Sequence, residues 1–352
     1  MVVTVGIDVH KGSHCAVAVD AVGRQLATEL TVRATDAGHL QLLRWSQRVA
    51  AGENVEFAVE DCRHVSTRLE RALLAAGATV KRVPPKLMAG ARSSARTRGK
   101  SDPIDALATG RAALREPDLP LAEHTHASRE IKLLVDHRDN LVATRTAMQN
   151  RLRWHLHELD PELDPASRGL NRLSELDRVQ ARLEALPAGM VRRIATELVA
   201  DIRAITARVN ALERELKTLV EAQAPRLLSL PGCGVLTAAK LVGETANPSR
   251  FRSEACFAMH AGVAPIPASS GKTNRHRLAR GGNRQLNAAL HRIAVTQIRL
   301  NGLGQAYYQR RRAQGDTSME ALRVLKRRLA RVVYQLLRPA DTPNSTRATV
   351  AA

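Results

Sequence analysis

Between residues 2 and 83, short apolar runs with a period of two alternate with segments whose apolar residues recur every three or four positions. Val2-Val3-Thr4-Val5-Gly6-Ile7-Asp8-Val9 reads as a strand, Cys15–Asp20 as a second and Gln25–Val32 as a third, with a turn at Ala21-Val22-Gly23-Arg24. A helix is expected from Asp36 to Ala51, then a fourth strand over Val55–Glu60. A second helix over Ser66–Ala76 ends at Gly77, and a fifth strand over Thr79–Val83 is stopped by Pro84-Pro85. Strands joined by short turns pair antiparallel, whereas a helix between strands allows them to run parallel. The order β-β-β-α-β-α-β therefore specifies an α/β region built on a mixed five-stranded sheet.

The middle of the chain is helical. Ile131, Leu134, Leu141, Met148, Leu152 and Leu159 form one stripe, and Pro161 and Pro165 interrupt the chain. A second stripe, Leu198, Ile202, Ile205, Val209, Leu212, Leu216 and Leu219, advances in alternating steps of four and three. That is a heptad seam, and a seam this narrow needs a partner helix. A coiled coil that drives self-association is the expectation, with a helical hairpin inside one chain as the alternative. From Pro225 the pattern changes to short helices separated by Gly and Pro turns, and the tail from Pro339 lacks apolar periodicity and is expected to be disordered. The expected division is 1–120, 121–224, 225–338 and a tail over 339–352, an α/β plus α architecture.

Charge divides the chain further. The whole carries a net charge of +20, and residues 225–352 hold 21 basic against 5 acidic side chains, while the first 224 residues hold 33 against 29. A surplus packed into one third of the sequence calls for a polyanionic partner, and nucleic acid is the first candidate. With 44% apolar residues in 352, the chain is no disordered basic tail. It contains no apolar stretch long enough for a membrane span, and its start reads as a strand rather than a secretory leader. Cys15, Cys62, Cys233 and Cys256 lack metal-site spacing and read as reduced thiols. A cytoplasmic protein is expected, and 45 arginines against 9 lysines fit a GC-rich bacterial genome.

Four carboxylates stand out in the first region. Asp8 interrupts an apolar strand on the face opposite Val5, Ile7 and Val9, where a charge is costly unless something compensates it. Glu60 ends the fourth strand, which in this sheet lies beside the first. Asp102 and Asp105 open a helix in Gly99-Lys100-Ser101-Asp102-Pro103-Ile104-Asp105-Ala106, with Asp102 expected as the N-cap, Pro103 at the first helical position and Asp105 on the same face. Oxygen ligands from two strands and a helix start suit Mg²⁺, whose shell substrate phosphate would complete. Singly, each is more simply an ordinary strand-end or helix-start charge; the fold order and the four positions together favour the catalytic reading.

In the basic third, Leu227-Leu228-Ser229-Leu230-Pro231-Gly232-Cys233-Gly234 looks like a helix–hairpin–helix element whose turn frees backbone N–H groups for a phosphate; a packed turn is the alternative. Ser269-Ser270-Gly271 follows Gly262-Val263-Ala264-Pro265-Ile266-Pro267-Ala268 and leads into Lys272, Arg275, Arg277, Arg280 and Arg284. Those five cations are candidate nucleic-acid contacts. The Ser-Gly pair is either a nucleophile approaching a phosphate or a flexible turn before a basic helix. Eight aromatic residues in all leave little scope for base stacking.

Together these motifs resemble the insertion sequence 110 transposases, relatives of the Piv-type DNA invertases. The matching segments are GIDVHK with Asp8, FAVED with Glu60, RGKSDPIDA with Asp102 and Asp105, then LLSLPGCG, FAMHAGVAPIPASSGK and ARGGNRQLN. The resemblance implies a ribonuclease-H/RuvC-like catalytic domain whose four carboxylates hold Mg²⁺. It also implies a C-terminal transposase domain whose serine attacks a DNA phosphate, a role that falls on Ser270, with Ser269 adjacent. It further implies donor and target DNA as substrates, a structured non-coding guide RNA as partner, and dimers or tetramers with sites completed between subunits. Base pairing by such an RNA would account for a strongly basic domain without a helix-turn-helix reader. Two other readings fit parts of the sequence: a RuvC-like structure-specific endonuclease that uses the carboxylates and no serine, and a non-catalytic basic RNA-binding protein.

Overall fold

The computed structural model of the chain describes residues 2–61, 65–93, 99, 101–116, 118–123, 126–269, 276–277, 279 and 281–339. In chain order the elements are β1 (Val2–Val9), β2 (Ser13–Val19), β3 (Leu30–Arg33), α1 (Asp36–Ala50), β4 (Asn54–Glu60), α2 (Thr67–Ala75), β5 (Thr79–Val83), α3 (Pro85–Ser93) and α4 (Asp102–Arg115). They continue with α5 (His126–Leu159), α6 (Leu173–Glu184), α7 (Met190–Gln223), α8 (Pro225–Leu228), α9 (Val235–Thr245) and α10 (Glu254–His260). The chain ends with β6 (Ile266–Pro267), β7 (His276–Arg277), α11 (Arg284–Arg299), α12 (Leu303–Ala313) and α13 (Ser318–Leu337). Two compact units result. One comprises Met1–Thr125, Ala246–Leu290 and Ala306–Ala352, and the other His126–Thr245 and His291–Gln305.

The first unit holds the expected mixed sheet, in the order β3-β2-β1-β4-β5. β1 pairs antiparallel with β2 and parallel with β4, and β4 runs parallel to β5. One face carries Val3, Val5, Ile7, Val9, Phe57 and Val59, packed on Leu42 and Trp45 of α1 and on Leu69 and Leu73 of α2. The other face is covered by α3 and α4, with Ala58 and Val83 meeting Met88, Ala91, Ala108 and Ala112. Small residues dominate this second layer because α4 lies nearly on the strands: a Cβ on Gly6 would fall 2.1 Å from the Ala106 carbonyl oxygen. β3 is shorter than expected. Asp20 accepts from the backbone N–H groups of Val22 and Arg24, and Gln25 meets Val19 only as an isolated bridge, so regular pairing resumes at Leu30.

In the second unit α5 and α7 run antiparallel. Arg138 pairs with Glu213 and Arg145 donates to Thr206, so numbers rise along one helix as they fall along the other. Leu198 and Ile202 pack with Leu152, Leu156, Leu176 and Val179, and Val209 and Leu216 are also buried. The heptad seam of α7 thus finds its partner helix within the same chain, while Ile205, Leu212 and Leu219 are half-buried. This is the hairpin arrangement rather than a seam left open for a second subunit, and its reason is that α5, of equal length, offers the complementary apolar stripe. α9 adds buried charge to this unit. Lys240 lies between Asp136 and Asp139, and Glu244 accepts from Lys132. Burial opposes the Lys240 charge, but its two carboxylate partners hold the ammonium above its ordinary range.

The Leu-Pro-Gly-Cys-Gly segment is a turn between the four-residue α8 and α9. Gly232 adopts φ +83° and lies against α11, where a Cβ would come 2.9 Å from Thr296 Cβ, and Gln297 donates to the Pro231 carbonyl. Among the described helices none is long and apolar enough to cross a membrane. The expected tail beyond residue 339 lies outside the described residues.

Candidate functional site

β1 delivers Asp8 to its C-terminal end on the α4 face, two residues beyond Gly6. The register sets Ile7 beside Val59, so the next positions on these parallel strands are Asp8 and Glu60. Because Gly6 lets α4 approach the sheet, the first turn of that helix lies over the same strand end. The helix starts one residue earlier than expected: Ser101 is the N-cap, without a side-chain bond, and Asp102 is already helical. Proline tolerates either early position because neither needs an N–H. Asp102 and Asp105 both remain in the first turn.

The structure brings Asp8 and Asp102 together through a residue that the sequence reading did not single out. His10 Nε2 stands 3.1 Å from Asp8 Oδ2 and 3.3 Å from Asp102 Oδ1. One ligand atom from each of Asp8, His10 and Asp102 lies within 4.8 Å of the others, an arrangement able to hold a metal ion. Asp8 is 5% exposed, and burial pushes its carboxyl above the usual range; His10 works against this shift, and the charges of Asp105 and Asp102 add to it. Asp105 is buried too, and Arg92 of α3 donates to it at 2.9 Å. Glu60 is half-buried at its strand end. The signal for His10 was present in the strand period, since residues 8 and 10 share a face. Arg92 carried no such signal, because α3 reaches α4 only in three dimensions.

The donor set fits a divalent cation. Crowded negative charge at a desolvated position, with carboxylate oxygens and one imidazole converging, is relieved by a cation better than by the half-exposed His10 alone. Asp105 is shared with Arg92, so Asp8 and Asp102 are the carboxylates already aimed at a common point.

Elsewhere in the first unit, Ala258–Pro267 and Gly281–Asn287 flank the β6–β7 pair. Gly262 adopts φ +65°, and a Cβ on Gly282 would lie 2.2 Å from the Gly262 nitrogen, so both positions exclude side chains. Asn283 caps α11 by accepting from Gln285 and Leu286, and its own N–H donates to the His260 carbonyl. Asn287 donates to the carbonyls of Ala261 and Gly262. The Gly-Gly-Asn-Arg-Gln-Leu-Asn run is therefore a clamp on the segment His260–Gly262 that precedes β6. Ser270, Lys272, Arg275 and Arg280 lie outside the described residues. Arg277 and Arg284 are exposed and line a cleft of about 1480 Å³ together with Lys86, Arg323, Phe251 and Asp61, the neighbour of Glu60.

Residues 5–161 match a family model described as transposase, the DEDD type of IS110 elements, and residues 224–309 match one described as transposase IS116/IS110/IS902 family. The chain is similar to the IS116 element's 44.8 kDa protein of Streptomyces clavuligerus, with 29% identity over 95% of this chain and 94% of that protein. It is 31% identical to the IS110 element's 43.6 kDa protein of Streptomyces coelicolor over 59% of this chain and 63% of that one. A transposase for insertion sequence element IS1111A of Coxiella burnetii is 27% identical over 49% of this chain and 47% of its own length. The two matched segments keep the order in which the carboxylate motifs and the glycine clamp occur along the sequence, and the chain belongs to the IS110 family of insertion-sequence transposases.

Proposed function

We propose that the chain cuts and rejoins DNA as the transposase of an insertion sequence, with a RuvC-like domain supplying carboxylates and the basic C-terminal part supplying the nucleophile. The observation that carries this reading is the convergence of buried Asp8 with His10 and Asp102 at the end of β1. Asp8, Asp102, Asp105 and Glu60 would hold a divalent cation, Mg²⁺ by the hardness of the oxygen donors, with His10 beside them. A bound cation supplies charge stabilisation at a phosphate under attack and lowers the pKa of a coordinated hydroxyl. The protein's own share is to gather the carboxylates at one strand end and to orient Asp102 and Asp8 through the His10 ring.

Ser270 is the proposed nucleophile: attack of its oxygen on a DNA phosphorus forms a phosphoserine bond and releases the 3′ or 5′ oxygen of the cut strand, which rejoining reverses. The clamp at Gly262, Gly282 and Asn287 supports this reading by fixing the segment that leads into β6, a few residues before Ser269 in sequence. Lys272, Arg275, Arg277, Arg280 and Arg284 are proposed phosphate contacts, and the N-terminus of α9 after Gly234 a further one. The net charge of +16 beyond residue 225 supports binding of a structured guide RNA in addition to DNA. Homo-oligomers would assemble through a surface other than the buried α7 seam.

End-labelled DNA on denaturing gels tests the chemistry. Wild type is expected to give a band shifted by one protein mass, Ser270→Ala none, and Ser269→Ala at least a partial one. Free cut ends from Ser270→Ala would make water the nucleophile and favour an endonuclease. Asp8→Asn should remove cleavage and leave nucleic-acid binding within about twofold, since phosphate affinity resides in the distant cations.

A further inference from the structure

Lys326 of α13 is 8% exposed and its ammonium donates to Asn287 Oδ1 at 2.6 Å, a neutral acceptor. No carboxylate pairs with it among the described residues. The acids that line the same cavity are already engaged: Asp316 with Arg311 at 2.6 Å, and Glu320 with Thr317 in the capping box of α13. Arg327 reaches Glu254 at 3.7 Å. Arg323 and Arg277 also line the cavity, which measures about 440 Å³, and neither has a carboxylate partner among the described residues. Burial holds the Lys326 ammonium down at about 8, and the guanidiniums of Arg284 and Arg323 push in the same direction. A buried cation with one neutral partner, ringed by further cations, is incomplete without an anion, because desolvation is repaid only by an opposite charge or a full set of hydrogen bonds.

We infer that the cavity around Lys326, Arg323 and Arg277 seats one phosphodiester group of a nucleic-acid strand. Two non-bridging oxygens would take the two free N–H donors of Lys326 and the fork of Arg323, a pairing that suits phosphate geometry. Lys326 also holds Asn287, the residue that binds the Ala261 and Gly262 carbonyls, so a phosphate here would sit one hydrogen bond from the hairpin clamp. The site rests on the reading that this chain handles nucleic acid. It differs from the other proposed contacts in being centred on a buried ammonium, with the exposed Arg277 and Arg323 at its rim.

Binding of the full-length protein to a short duplex DNA and to an RNA of the same sequence tests this, by fluorescence anisotropy across salt concentrations and by calorimetry near pH 8 in two buffers of different ionisation enthalpy. Wild type is expected to take up a fraction of a proton on binding, because a phosphate beside Lys326 raises its affinity for the proton. Lys326→Met should abolish that uptake, weaken binding about tenfold and lower the log–log salt slope for duplex by about 0.9. Its melting temperature should equal or exceed that of wild type, since an apolar chain of similar shape replaces a buried charge. Arg323→Ala, at an exposed position, should also weaken binding and reduce the uptake, because Lys326 would already be more fully protonated. The nucleic acid whose uptake depends on Lys326 is the one that occupies the site. Unchanged affinity, slope and proton uptake in Lys326→Met, with both nucleic acids, would overturn the site while leaving the transposase reading intact. Wild type that binds neither would overturn that reading and this site with it.

Discussion

Gly6 of β1 and Gly110 of α4 meet backbone to backbone, and a Cβ on Gly6 would lie 2.4 Å from the Gly110 nitrogen. This contact sets the height of α4 above the sheet and with it the distance from Asp102 to Asp8. The two glycines are unequal: a Cβ on Gly110 meets its nearest neighbours only at 3.4 Å. Gly6→Ala is expected to cost about 1–3 kcal/mol through overpacking against backbone that has no rotamer to yield. Gly110→Ala should stay within about 1 kcal/mol of wild type, as helix propensity offsets a tight contact. Thermal and denaturant unfolding check this, and a Gly6→Ala as stable as wild type would show that α4 is free to lift.

His10 links the two carboxylates, so its loss should be read at the metal rather than in the fold. His10→Ala is expected to lower divalent-ion affinity about tenfold, the effect of removing a group that orients ligands. Its exposure predicts an unfolding midpoint near that of wild type. Calorimetric titration with Mn²⁺ measures the affinity directly, and wild-type affinity in the variant would remove His10 from the centre.

His14 and His39 stack with ring centroids 5.3 Å apart and are almost wholly buried. Burial, followed by the neighbouring His39, holds His14 down to about 4, and burial lowers His39 too. An unfolded histidine titrates near 6.5. Between these values the unfolded chain binds the extra proton, so the contribution of His14 is complete above about pH 6.5 and is lost as pH falls toward 4. The total is on the order of 3 kcal/mol. Chemical denaturation of wild type and His14→Leu at pH 7, 5.5 and 4 isolates this term, because other groups cancel in the difference. A wild-type stability that falls no faster than that of the variant would contradict a neutral buried pair.

Ile202 of α7 is fully buried among Leu152, Leu156 and Val199. Ile202→Ala should destabilise the protein by about 2–5 kcal/mol, the cost of lost burial plus a residual cavity. Sedimentation should show an unchanged mass, since the seam is covered within the chain. A smaller species would mean that α7 also contributes to a contact between subunits.

Much of this protein was legible along the chain. Periods of two and near 3.6 located the strands and helices of the first 83 residues, except that β3 begins five residues later than its pattern and α3 beyond them was not foreseen; turn length against helical crossover dictated which strand pairs run parallel, because these are local properties of the backbone. The same periodicity placed Asp8 on the face away from Ile7 and grouped Asp102 with Asp105 on one helical turn. What required the tertiary structure were relations between segments far apart in sequence. The heptad seam looked the same whether its partner came from α5 or from another subunit, since a stripe records that a surface is apolar and not what covers it. Arg92 on Asp105, Gly282 on Gly262 and Lys326 on Asn287 are likewise invisible in composition or spacing, because the energy of each comes from desolvation and close approach that only the assembled fold creates.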